Sequence, residues 1–252
     1  MGQVSWLDTN DLSFPDSREA LAEPNGLLAV GGDLRPERLL KAYSQGIFPW
    51  YSDDQPILWW SPSPRMILLP DELHLGRSLR KLANKRLFHI RVDSQFDRVI
   101  SYCATAPREG TQGTWITEDM RAAYSALHRL GYAHCIEAWQ DNQLVGGLYG
   151  IALGRVFFGE SMFSLVSGAS KIAFATMVRQ LQAWDFQLID CQMFTHYLAS
   201  FGAKEVERDE FERRLKNALP SNIDNMIAHP SEQVSEHRQW HRMWTQGDYG
   251  LG

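Results

Sequence analysis

Three polar side chains lie inside apolar, strand-like sequence where they could do acid–base or charge chemistry: Glu160 in FFGESMF, and Asp190 and Gln192 in LIDCQ. A carboxylate in an aromatic run is costly to bury without a partner or a task, so Glu160 marks a candidate site. Positions two apart in a strand share a face. Asp190 and Gln192 therefore point together, while Cys191 turns away into packing. A polar face on an edge strand is the alternative reading of LIDCQ.

Two further stretches could bind rather than react. RSLRKLANKRLFHIR carries Arg77, Arg80, Lys81, Lys85, Arg86 and Arg91 and no acidic residue. Positions 77, 80, 81 and 85 share one helical face, opposite an apolar stripe of Leu75, Leu79 and Leu82. Such a face suits a phosphate backbone; a solvated amphipathic helix is the alternative. IFPWYSDDQPILWWSPSPR places Trp50, Tyr51, Trp59 and Trp60 among Pro49, Pro56, Pro62 and Pro64. Neither a helical nor a strand period holds there, and proline denies the backbone ladder hydrogen bonds, so the expectation is a stiff aromatic loop.

Other motifs carry less. VGGLYG (145–150) and GLLAVGGD (26–33) lack the spacing of nucleotide-binding loops and read as strand or turn geometry. HRQWH offers His237 and His241 at i, i+4 with no acidic or cysteine partner, so no metal site is expected. The 252 residues are 44% hydrophobic and 22% charged, with a formal net charge of −5, enough for a sizeable core and without a global signal for nucleic acid. Cys103, Cys135 and Cys191 are widely spaced, which argues against a disulfide framework or zinc site and fits a reducing compartment. Without a signal peptide or a membrane-length apolar run, the expectation is a soluble cytoplasmic protein.

Positioning these residues requires an α+β fold. Up to about residue 110 the chain reads as irregular, with short helices after Asp16, from Pro36 to a Gly46 stop, and from His74 to Lys85. Thr117 caps a helix that ends before Gly131. Three strand-like runs follow, HCIEAWQ, LVGGLYGIAL and RVFFGESMF, turning at Asp141-Asn142 and Gly154. Then come a helix (170–184), the strand FQLIDCQM, a short helix and a last helix to Leu219. This order resembles the GNAT acyltransferase core. The expected organisation is a small irregular N-terminal α/β domain (1–72), a GNAT-like catalytic domain (73–220) that includes the basic helix, and a polar tail (221–252) without a fold of its own.

The words PNGLLAVGGDL, QGIFPWYSDDQPILWWSPSPR, GTWIT, LVGGLYG, FFGESMFS, ASK and LIDCQ, in this order from about residue 7 to 219, resemble the leucyl/phenylalanyl-tRNA–protein transferase family. The resemblance implies an aminoacyltransferase without a cofactor. It would move leucine or phenylalanine, and methionine less readily, from aminoacyl-tRNA to the N-terminal amine of proteins starting with Arg or Lys, marking them for N-degron degradation. By the resemblance, Trp50 and Trp115 line the 3′-adenosine site with Tyr124 nearby. Trp59 and Trp60 are expected to hold the loop from the core, with a place at the stacking surface as the alternative. Leu148, Phe157 and Met162 wrap the transferred side chain. Arg77, Arg80, Lys81, Lys85 and Arg86 meet acceptor-stem phosphates. Asp190 and Gln192 match the family's catalytic pair, whose implied role is to relay the amine proton. A carboxamide is a very poor base, so the expectation is that Gln192 orients the amine, with the base relay as the alternative. Asp190 and Glu160 are expected to meet the acceptor's cation. The rivals are an acyl-CoA-dependent acetyltransferase, disfavoured because FSLVSGASK lacks the R/Q-x-x-G-x-G/A turn, and a non-catalytic RNA-binding module.

Overall fold

The computed structural model describes residues 4–105, 116–233 and Trp240. Two sheets account for the described strands. The smaller holds β1 (Ser5–Leu7), β2 (Leu27–Gly31), β3 (Phe48–Pro49) and β4 (Leu58–Trp60) in the order β1-β2-β4-β3. The larger holds β5 (Arg65–Leu68), β6 (His89–Val92), β7 (Ala133–Gln140), β8 (Gln143–Leu153), β9 (Val156–Ser164), β10 (Leu188–Gln192) and β11 (Lys204–Val206). Its order is β11-β5-β10-β9-β8-β7-β6. The described helices are α1 (Pro36–Ser44), α2 (Arg77–Asn84), α3 (Phe96–Thr105), α4 (Glu118–Arg129), α5 (Ala169–Ala183), α6 (His196–Ala199), α7 (Arg208–Ala218) and α8 (Ile223–Ala228).

The meander β7-β8-β9 forms from the three strand-like runs. Its first turn places Asp141 and Asn142 at φ 50° and 60°, as a tight hairpin requires. Because both faces are covered, these strands are mostly apolar, with His134, Glu137 and Glu160 as buried exceptions. Cys135 and Trp139 of β7 face one core, Ile136 and Ala138 the other. The first core lies under α1, α3, α4 and the smaller sheet; the second lies under α5. Helix α5 rests so closely on β8 that a Cβ at Gly146 would come within 2.6 Å of the Ala169 side chain, which accounts for the glycine in VGGLYG. After α5 the chain returns to place β10 parallel to β9 and antiparallel to β5.

The N-terminal third is more regular than its prolines imply. The aromatic loop is built on a short hairpin in which Phe48 faces Trp60 and Pro49 faces Trp59. Pro49 is tolerated because β3 is an edge strand with a free donor side. Strand β5, which follows Pro64 directly, belongs to the larger sheet between β11 and β10. Strand β6 and helix α3, also inside the stretch read as irregular, add an edge and a cover to the same sheet; Glu137, fully buried on β7, accepts hydrogen bonds from Ser94 N and Gln95 N at 2.8 Å just before α3. Thr117 caps α4 by accepting from Met120 N, as its position before Glu118 and Asp119 implies.

The segment after residue 220 also folds. Helix α8 buries Met226 and Ile227 against the first core, and Trp240 is 6% exposed, its ring 3.9 Å from that of His134 and nearly parallel to it. Isolated large apolar residues in polar surroundings anchor this segment without leaving a period to read. All three cysteines are buried thiols, and among the described residues no helix is long and apolar enough to cross a membrane.

Candidate active site

A cavity of about 590 Å³ opens where β9 and β10 run side by side. Its wall is apolar: Leu148 of β8, Phe157 and Met162 of β9, and Phe174 and Met177 of α5. Glu160 and Gln192 stand at its polar end, and Trp50 lines it from the hairpin loop with 40% of its surface exposed. The indole of Trp60 meets Trp50 edge-on at 5.5 Å and donates Nε1–H to its carbonyl at 2.7 Å, which holds the loop. Trp59 is fully buried and donates to Gly31 O at 2.9 Å.

Two β-bulges aim the polar groups. In β9, Gly159 faces Gly150 and Ser161 faces Tyr149, so Glu160 is the extra residue. The bulge turns its carboxyl toward the first core, away from the face that Met162 uses. In β10 the register slips between Asp190 and Gln192, and Gln192 sits at φ 62°. Cys191 stays in the second core, where burial pushes its thiol pKa up.

Glu160 is 8% exposed and has three polar neighbours. Tyr43 Oη lies 2.7 Å from Oε1, Tyr124 Oη lies 2.9 Å from Oε2, and Gln192 Nε2 donates to Oε1 at 3.1 Å. The two phenol oxygens are 2.5 Å apart. Burial drives the Glu160 carboxyl up, the hydrogen bonds of the two tyrosines pull it back, and it settles at about 7. Burial likewise raises both phenols well above their ordinary value.

Asp190 has a different surrounding. Its oxygens accept from Arg65 Nε at 2.8 Å and Nη2 at 2.6 Å, and both side chains are 1% exposed. The Arg65 guanidinium is held between the rings of Phe48 and Phe211, at 4.8 and 4.7 Å. The expectation that Asp190 meets an acceptor's cation gives way here, because an internal guanidinium already takes both oxygens. Asp190 Oδ1 also accepts from Gln192 N at 2.9 Å, so the ion pair fixes the backbone that presents the Gln192 amide.

The structure thus brings together Glu160, Gln192, Leu148, Phe157, Met162 and Trp50, with Asp190 directly behind them. Tyr124, expected beside an adenosine, is fully buried and reaches the site through its hydroxyl instead. Trp115, and His237 and His241, lie outside the described residues. Sequence reasoning missed Tyr43, Arg65, Phe174 and Met177. Arg65 closes the SPSPR word and is a lone charge beside apolar MILL, the same signal that singled out Glu160.

Arg77, Arg80, Lys81, Lys85 and Arg86 are all exposed on and just after α2, whose Leu79 is buried. This helix packs on the start of α5: a Cβ at Gly168 would come within 2.2 Å of the Leu82 side chain. Two residues on, Ser170 lines the cavity. The basic face and the cavity therefore flank one helix terminus.

Comparison with known proteins gives a consistent result. The sequence models of the leucyl/phenylalanyl-tRNA protein transferase and of its N-terminal domain match residues 67–216 and 32–63. A leucyl/phenylalanyl-tRNA–protein transferase of Saccharophagus degradans is 57% identical over 250 residues, 99% of each chain. One of Nitrosospira multiformis is 61% identical over 216 residues, 86% of this chain and 92% of the other. Among solved structures, L-PGS from Bacillus licheniformis aligns over 80% of this chain and 71% of its own with a TM-score of 0.35 and 10% identity, too distant to bear on the fold. On the family match over more than half its length, the chain belongs to the leucyl/phenylalanyl-tRNA–protein transferase family, a family of aminoacyltransferases.

Proposed function

We propose that this protein transfers leucine or phenylalanine, and methionine less readily, from aminoacyl-tRNA to the N-terminal amine of proteins beginning with Arg or Lys, in the cytoplasm, marking them for N-degron degradation. The observation that carries the reading is the cavity of about 590 Å³, apolar on its walls and polar only where Glu160 and Gln192 stand. A wall of Leu148, Phe157, Met162, Phe174 and Met177 suits Leu and Phe alike, because flexible thioethers adapt and apolar pockets discriminate weakly by single methylenes. Trp50 offers a half-open ring on which a terminal base can stack, worth about 1–3 kcal/mol. The exposed cations of α2 suit stem phosphates, which position the tRNA without reading its sequence.

The acceptor amine must arrive neutral beside the ester carbonyl. Gln192 gives its amide N–H to Glu160, which leaves its amide oxygen to accept from that amine. The Arg65–Asp190 pair acts at one remove, by fixing Gln192. The preference for Arg or Lys at the acceptor rests on the family resemblance. The GNAT-like reading of the larger sheet is supported by the order of a meander, a helix and a parallel fourth strand. We place the boundary between the N-terminal and catalytic domains near residue 64, ahead of β5.

Incubation with radiolabelled Phe-tRNA and an Arg-starting peptide, against acetyl-CoA as donor, tests the reading. Label is expected to move to the peptide, and less to an Ala-starting one. Acetylation without aminoacyl transfer, or tRNA binding without either, would overturn it.

A further inference from the structure

Tyr43 of α1, Tyr124 of α4 and Glu160 of β9 touch pairwise at 2.5, 2.7 and 2.9 Å in a buried, closed ring. Oxygens this close need a hydrogen between them, since facing lone pairs repel. Three contacts need three hydrogens, and two phenols supply two. An ionised Glu160 leaves one contact bare; a protonated Glu160 completes the ring. One arrangement then satisfies every atom: Oε2–H donates to Tyr124, Tyr124 donates to Tyr43, and Tyr43 donates to Oε1, which also accepts from Gln192 Nε2.

We infer that Glu160 enters the transfer reaction as a neutral carboxylic acid and carries the amine proton to the departing ribose oxygen, with Tyr43 and Tyr124 as positioning residues. The inference rests on the aminoacyl-transfer reading above. In the step, the amine nitrogen bonds to the ester carbonyl carbon and the carbonyl π pair moves onto oxygen. The pair returns as the carbon–ribose oxygen bond breaks. For this step the ring opens: Oε2–H leaves Tyr124 for the ribose oxygen, and Oε1 takes a proton from nitrogen. Amide, alcohol and neutral Glu160 result, with no net charge left in the site.

The surroundings suit this role. The charged groups that face the ring are Asp190 of β10, which favours the protonated form, and Arg65 of β5, which opposes it; they are paired with each other. Tyr149 of β8 meets Tyr124 edge-on at 5.5 Å. Burial holds the proton on, and the phenols, as donors to the ionised form, keep it transferable at about 7.

Infrared spectra of protein carrying carbon-13 glutamate, titrated across the neutral range, test the protonation without substrate. The expected result is a protonated-carboxyl band that disappears with a midpoint of about 7 and is missing from Glu160→Gln. Tyr43→Phe and Tyr124→Phe are each expected to raise that midpoint by about one unit, because each removes a donor to the carboxylate. The alkaline limb of the Phe-transfer rate is expected to move with it, which a merely structural tyrosine would not cause. Glu160→Gln is expected to lose about 100-fold or more on the natural ester, and less on a donor whose ribose bears an electronegative 2′ substituent and leaves without a proton.

A wild-type midpoint in the ordinary carboxylate range, or no such band, overturns the inference, even if a tyrosine variant fails to fold. A band at about 7 with a rate profile that ignores it removes the proton-carrying role. Transfer activity without the band leaves the family reading standing; the band without aminoacyl transfer shows the failure to lie in that reading.

Discussion

Asp190→Asn separates a residue that meets substrate from one that holds the site together. The carboxylate faces Arg65 Nε and Nη2 at 2.8 and 2.6 Å, and both side chains are 1% exposed. An Asn of the same shape keeps one acceptor oxygen, but turns its NH2 toward a guanidinium donor and removes the only negative charge paired with it in the described structure. Breaking a buried pair from one side costs about 3–5 kcal/mol, mainly the cost of the cation left behind. Against a total of about 5–15 kcal/mol, that is a large fraction of the stability. For a chain of this size it corresponds to a fall in Tm of about 6–20 °C. Thermal and denaturant unfolding measure it, and the double variant Arg65→Met/Asp190→Leu is expected to recover most of the loss because no charge is stranded. Below the melting range, transfer by Asp190→Asn is expected to fall alike on Arg-starting and uncharged acceptors, since the missing interaction is internal. A destabilisation under about 1 kcal/mol, or an activity loss confined to charged acceptors, would refute the reasoning.

Replacing Arg80, Lys81 and Lys85 with Gln is expected to weaken aminoacyl-tRNA binding and flatten its dependence on log salt by about 0.9 for each phosphate no longer neutralised. Activity on a short aminoacyl-adenosine is expected to survive, and equal loss on both donors would mark α2 as structural. Met162→Ala enlarges the cavity wall and is expected to move the Leu-to-Phe ratio toward Phe by about tenfold, read from competing aminoacyl-tRNAs. Trp50→Ala is expected to raise the KM for donor by about 5- to 150-fold, the equivalent of about 1–3 kcal/mol of stacking, with little change in Tm because the ring is already half exposed. Trp240→Ala, by contrast, is expected to cost about 3–5 kcal/mol of stability and leave donor KM unchanged, since its buried ring packs on His134.

The readable parts of this fold are those where local chemistry has one solution. Thr117 as a cap, Gly46 and Gly131 at positive φ after helices, and Asp141-Asn142 as a hairpin turn are legible from single residues. Strands β7 to β9 are legible as mostly apolar runs because both of their faces are covered. The N-terminal third was not legible for the converse reason: strands of two to five residues carry too few side chains to display a period, and they exist because partners far along the chain complete them. Strand β5 is the clearest case. Its RMIL could be a strand anywhere, and only β10 and β11, more than 100 residues later, make it central.

The site was legible in its residue types but not in its directions. Period-two reasoning puts Glu160 and Met162 on one face, and it would have both look into the same space. The bulge at Glu160 breaks that parity, sending the carboxyl toward Tyr43 and Tyr124 while Met162 lines the cavity. The second slip, between Asp190 and Gln192, likewise lets Gln192 bond Glu160 while Asp190 bonds Arg65. A one-residue insertion in register is invisible in composition, yet here it decides which carboxyl is neutralised by a cation and which by a proton. Two acidic residues of similar sequence surroundings therefore divide into a fixed ion pair and a titratable acid, and the division follows from which buried donors each bulge lets them reach.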